Sequence, residues 1–152
     1  MYNKIAELVK AAEENGKPIS ELMLLQEMAK SHRTREDIWE QMRNNYHVMK
    51  AAVEKGLAGD GVFSPTGLTG GEAVKLRNYR QRGNTLSGDD LLIAVESAIA
   101  TNEVNASLGI ICATPTAGSS GTLPGVMFAI KDKLGLTEEQ MVQMLFCASG
   151  FG

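Results

Sequence analysis

The sequence predicts an all-α domain of six or seven helices with two glycine-rich functional loops, and three observations carry that prediction. Apolar residues recur at helical spacing through most of the 152 residues. Capping pairs precede several of those stripes, and no stretch alternates apolar and polar residues as a half-buried strand does. The length suits a single domain over 1–152 with a core of its own. A formal net charge of −3 argues against phosphate-backbone binding, so nucleic acid is not expected as a main partner. No apolar run is long enough to span a membrane. Two distant cysteines, no CxxC pair and no secretory leader point to a reducing, cytoplasmic setting.

Taken in order, Ile5, Leu8, Val9 and Ala12 share one helical face, and Asn15-Gly16 is a left-handed stop ahead of Pro18. Ser20 is the expected cap of a second helix whose Leu22, Leu25 and Met28 form a stripe to about Ser31. Thr34 and Asp37 resemble a capping box for a long third helix through Ile38, Met42, Met49 and Val53, expected to end at Gly56. GLAGDGVFSPTGLTGG (56–71) then has no helical period and is read as a long loop. A short basic helix over Glu72–Gln81 breaks at Gly83-Asn84. Ser87 and Asp90 are expected to cap a helix through Leu91, Val95, Ile99 and Val104. Its many small residues predict a central helix with close neighbours. ICATPTAGSSGTLPG (111–125) is the second glycine-rich loop, with Pro124 expected in the first turn of a helix carrying Val126, Met127, Ile130 and Leu134. Thr137 and Gln140 form a last capping box, ahead of Met141, Met144, Leu145 and Phe146.

Two segments can carry chemistry. Thr116–Gly121 opens onto a helix, where backbone N–H groups and hydroxyls suit a carboxylate or phosphate; an ordinary Ser/Gly cap fits the motif equally well. It lacks the Gly-Lys-Ser/Thr ending of a Walker loop. Ser64–Gly71 is similar, with Lys75 one turn on to add charge, and a plain loop is again the equal alternative. If both face one pocket, the ligand is a small anion such as an amino or hydroxy acid. Asn102 and Asn105 share a face, more often to bond a loop backbone than to touch a ligand. His32 and His47 have no partner at metal-ligand spacing. Cys112, Cys147 and the methionines Met23, Met28, Met42, Met49, Met127, Met141 and Met144 are expected in the core.

Three strings go further: RTREDIWEQM (33–42), TGLTGGEAVK (66–75) and ATNEVNASLGIICATPTAGSSGTLPG (100–125). Together they resemble the α subunit of the bacterial iron–sulfur-dependent L-serine dehydratase, of the two-subunit form with a separate β subunit, over essentially the whole chain. The resemblance implies a lyase of serine catabolism that converts L-serine to pyruvate and ammonia by water elimination at a 4Fe-4S cluster. It implies substrate-binding roles for Ser64, Thr66, Gly67 and Thr69 in one loop and Thr116, Gly118, Ser119 and Ser120 in the other, supported by Lys75 and Asn102. The family's α chain is about twice as long, and its cluster cysteines lie in GCQ, CDP and VPC motifs that are not present here. The chain is therefore expected to be the N-terminal portion of the catalytic domain, with no metal ligand of its own. Its expected partners are L-serine, the β subunit or the C-terminal cluster-bearing half, and a second copy. The apolar tail LFCASGFG (145–152) is expected to need such a cover. The rival expectation is a non-catalytic helical interaction module or split subunit that only binds a partner.

Overall fold

The computed structural model describes Tyr2 and residues 4–151; Gly152, the end of the apolar tail, lies outside the described residues. Among the described residues there are seven helices and no strand, as the periodicity predicts: α1 (Ile5–Asn15), α2 (Ile19–Ser31), α3 (Arg35–Ala58), α4 (Glu72–Gln81), α5 (Asp89–Ala106), α6 (Ser119–Leu134) and α7 (Glu138–Ser149). The chain divides into two compact units, Met1–Tyr46 with Thr137–Gly152, and His47–Leu136.

The first unit holds α1, α2, the start of α3, and α7. Gly16 ends α1 at φ 59°. Ser20 does not cap α2: the helix begins at Ile19 behind Pro18, whose ring already fixes φ at −65°, so Ser20 lies inside the first turn. The Thr34–Asp37 box forms, with Asp37 N donating to Thr34 Oγ1 at 3.1 Å and Thr34 N to Asp37 Oδ2 at 3.4 Å. Arg35 then reaches back to α2 through a two-pronged bond to Glu21 at 2.7 and 2.8 Å. Trp39 stacks on Phe146 of α7, ring centres 5.7 Å apart, and Leu8, Leu22, Leu24, Ile38, Met141, Val142 and Leu145 are buried in the same unit.

In the second unit α5 is the axis, as its small residues predict. Three helices run against it in the opposite direction. On the α3 side, a Cβ on Gly56 would stand 2.3 Å from the Ala100 carbonyl oxygen. On the α6 side, a Cβ on Gly121 would meet the Ala98 carbonyl at 2.8 Å, and one on Gly125 the Ala94 carbonyl at 2.5 Å. On the α4 side, Arg80 Nε and Nη2 donate to the buried Glu96 at 3.0 and 2.9 Å. Ala52, Val62 and Val104 close the core between α3, the first loop and α5.

These contacts explain where sequence expectations fail. Gly56 does not stop α3, which runs on to Ala58, because its lack of a side chain serves the approach to α5 rather than a turn. Likewise α6 starts at Ser119, so Pro124 lies inside the helix and not in its first turn. Gly121 and Gly125, four apart, are one packing face and not loop residues. Ser87 does not cap α5 either; Gly88, at φ 75° and ψ 161°, is the N-cap, and Asp90 pairs with Lys133 of α6. Of the seven core methionines expected, Met49, Met127 and Met141 are buried, whereas Cys112 and Cys147 are only half-buried.

Candidate functional site

Both glycine-rich segments belong to the second unit, and each leads into the N-terminus of a helix packed on α5. The first segment folds on itself. Ser64 N donates to the Thr69 carbonyl at 2.9 Å, Gly67 N to the Ser64 carbonyl at 2.9 Å, and Thr69 N to Ser64 Oγ at 3.2 Å. The Ser64 hydroxyl also lies 3.2 Å from Thr66 Oγ1, leaving Thr66, Gly67 and Thr69 exposed at the tip. Lys75 is 3.9 Å from Glu72 Oε1, so its charge faces a carboxylate of its own helix.

At the start of α4 the first two N–H groups that a helix leaves unpaired are already taken. Glu103, buried on α5, accepts from Glu72 N and from Ala73 N, the latter at 3.3 Å, both through Oε1. An internal carboxyl group thus fills this helix end. Burial pushes the Glu103 carboxyl above the usual range, and the neighbouring Glu72 adds to the effect. The contact with Glu103 and the Gly70 N–H hold Glu72 below that range.

At the start of α6 the arrangement is different. Ser119 N donates to Thr116 Oγ1 at 3.2 Å, Thr116 N to Ser119 Oγ at 3.1 Å, and Thr114 Oγ1 lies 2.6 Å from Ser119 Oγ and 3.1 Å from Ser120 Oγ. Four hydroxyls therefore gather on the first turn, with Ser119 and Ser120 in the helix itself and Ser120 buried. Thr114, which sequence reasoning passed over, is their hub; its place in CATPTAGS next to Pro115 was the available signal. The Gly118 N-cap supplies no side-chain acceptor, and the N–H groups of Ala117, Gly118 and Ser120 have no protein acceptor among the described residues. Every other helix carries Asp or Glu in its first turn; α6 carries none. Its positive end is left uncompensated, a setting worth about 0.3–1 kcal/mol to a bound anion at an exposed end and up to ~2 when partly buried.

Consecutive residues of α5 join the two helix starts. Asn102 lies over the first turn of α6, where a Cβ on Gly121 would be 2.8 Å from its Oδ1 and 3.0 Å from its Nδ2, while Glu103 caps α4. Asn102 is exposed and its amide has no partner among the described residues. The structure thus brings Asn102 to the first turn of α6 at Gly121, and brings Glu103 to the end of the Ser64–Gly71 segment. Among the described residues no three His, Cys, Asp or Glu side chains are placed to hold a metal, and burial raises the Cys112 thiol. No helix is long and apolar enough to cross a membrane among those residues.

Comparison with known proteins identifies the family. A family described as "Serine dehydratase alpha chain" matches residues 14–152. The chain is similar to the probable L-serine dehydratase, alpha chain, of Bacillus subtilis (strain 168), at 53% identity over 152 residues, all of this chain and 50% of that protein. It is also similar to the L-serine dehydratase, alpha chain, of Peptoniphilus asaccharolyticus, at 33% identity over 152 residues, all of this chain and 52% of that one. It spans about half the length of these relatives. No solved structure matches it.

Proposed function

Since the chain belongs to the serine dehydratase alpha chain family, we propose that it supplies the carboxylate-binding wall of a lyase that converts L-serine to pyruvate and ammonia. The observation that carries this reading is the uncompensated N-terminus of α6. Its N–H groups without a protein acceptor, the Thr114, Thr116, Ser119 and Ser120 hydroxyls and the nearby Asn102 amide form a donor set suited to a small carboxylate. Gly118 allows the backbone to meet it. The start of α4 offers no such place, because Glu103 occupies it. Ser64, Thr66, Gly67 and Thr69 of the first glycine-rich loop are assigned to the rest of the substrate, with Lys75 balancing Glu72.

The family resemblance implies a 4Fe-4S cluster, which takes cysteine thiolates. The residues of this chain do not fit as that ligand set: it has two cysteines, and no three candidate ligands come together among the described residues. The cluster ligands are assigned to the C-terminal half or the β subunit, and no chemical step is derived for the cluster here. Two free thiols fit a cytoplasmic setting. A second reading, an interaction module without chemistry, is favoured by the exposed Leu108 and Ile110 beside the site, 83% and 81% accessible.

The test is steady-state kinetics of the chain assembled with the cluster-bearing half and β subunit under anaerobic conditions. Ser119→Ala and Thr116→Val are each expected to raise the KM for serine roughly tenfold, the loss of about one charge-assisted hydrogen bond. Unchanged kinetics in both variants would remove this turn from the site. Binding of the assembled partner without any pyruvate release would favour the interaction module.

A further inference from the structure

We infer that Glu103 is a positioning residue: it shares one proton with Glu72, and the resulting carboxyl–carboxylate hydrogen bond holds the Ser64–Gly70 loop against α5. Glu103 is 3% exposed. Its Oε1 is satisfied by the Glu72 and Ala73 N–H groups, but its Oε2 is fully buried and has no hydrogen-bond partner among the described residues. A buried carboxylate oxygen without a donor is strongly disfavoured. Glu72, whose own N–H binds Glu103 Oε1, carries the carboxyl group that acts on Glu103, and as a carboxylate it is itself an acceptor. One proton between them turns a repulsion into a bond.

The surroundings decide which residue carries the proton. Glu72 is on the exposed side, takes the Gly70 N–H on Oε2 at 2.7 Å and has Lys75 at 3.9 Å, all of which favour its charged form. Among the described residues the charged neighbour that acts on Glu103 is Glu72. The α3 residues at this level of α5, Ala52 and Gly56, are uncharged; so is Asn102 on the α6 side; and Glu96, two turns back, is taken by Arg80. The proton therefore resides on Glu103 and the charge on Glu72. Through Glu72 and Gly70 N this proton ties the end of the loop to the helix that also carries Asn102. Raising the pH past the elevated Glu103 value places two negative charges side by side and releases Gly70. Its effect on serine binding rests on the dehydratase reading; the pair itself does not.

The experiment follows the Glu72 and Glu103 carboxyl carbons by NMR in a pH titration of the 152-residue chain, together with hydrogen exchange at the Gly70 N–H. Glu103 should titrate above the ordinary glutamate range and Glu72 below it. Gly70 exchange, corrected for intrinsic base catalysis, should rise roughly tenfold across the Glu103 titration. Glu103→Gln, which donates permanently, should keep Gly70 protected at every pH, and Glu103→Ala should not. Glu72→Gln changes an exposed side chain and so remains informative if the Glu103 variants fail to fold; it should lower the Glu103 titration point. An ordinary Glu103 titration, a Glu103→Gln chain as unprotected as Glu103→Ala, or a Glu103 indifferent to Glu72→Gln would each overturn the inference. In the assembled enzyme the alkaline rise in serine KM should vanish in Glu103→Gln, with kcat following the same pH course as before; its persistence would also overturn the inference. If no assembly turns over serine while Gly70 exchange still follows Glu103, the functional proposal falls and the proton-sharing pair stands.

Discussion

Gly125 is where a single methyl group says most about the second unit. Its Cβ would lie 2.5 Å from the Ala94 carbonyl and 3.0 Å from the Ala98 Cβ, both on α5, and backbone cannot swing aside as a long side chain can. Gly125→Ala is expected to cost about 1–3 kcal/mol through overpacking, despite the better helix propensity of alanine. Urea unfolding measures it, and a stabilised variant would show that α6 sits farther from α5. The charge pair Glu21–Arg35 in the first unit is a titration test. The Arg35 guanidinium holds the Glu21 carboxyl below its ordinary value of 4.5, so its contribution is present above that pH and is lost as pH falls through the lowered value. Both groups are partly exposed, so the contribution is about 1 kcal/mol or less. Arg35→Ala should flatten the acid limb of the stability curve below pH 4.5. An unchanged acid limb would show that the two-pronged bond is not kept in solution.

At the level of elements, the caps separate what local sequence decides from what it only resembles. The Thr137–Gln140 box of α7 is complete, with Thr137 N donating to Gln140 Oε1 at 2.9 Å and Gln140 N to Thr137 Oγ1 at 3.3 Å. Thr137→Ala should therefore destabilise by about 1 kcal/mol. Ser87 has the same sequence look, yet Gly88 takes the cap position of α5. Ser87→Ala should be neutral within about 0.5 kcal/mol. Paired denaturant curves test both, and equal losses would mean that α5 begins one residue earlier than it does here. Elements also explain how α4 is held: Glu103 takes its first turn and Glu96 takes Arg80 near its last, seven residues apart on α5 and so on one face.

For the molecule as a whole, the consequence of spanning half the length of its relatives is chemical. With two cysteines, one in each compact unit, the chain reconstituted anaerobically with iron and sulfide is expected to show no stable 4Fe-4S absorbance. A robust cluster spectrum that disappears with Cys112→Ser would reverse the ligand assignment made above.

The sequence alone determined the all-α class, most helix boundaries and the family, because these rest on signals that act over a few residues: a 3.6-residue apolar period, capping boxes and the TNEVNA and CATPTAGS strings. It also marked both glycine-rich segments as places for an anion, without a way to rank them. That ranking belongs to the tertiary structure. Whether a helix end is free depends on what packs over it, and the carboxyl group that fills the start of α4 comes from 31 residues away, delivered by antiparallel packing on α5. The same packing turned Gly56, Gly121 and Gly125 from apparent loop residues into points of contact. No local pattern distinguishes a glycine that bends the chain from one that admits a neighbouring helix; only the neighbour does.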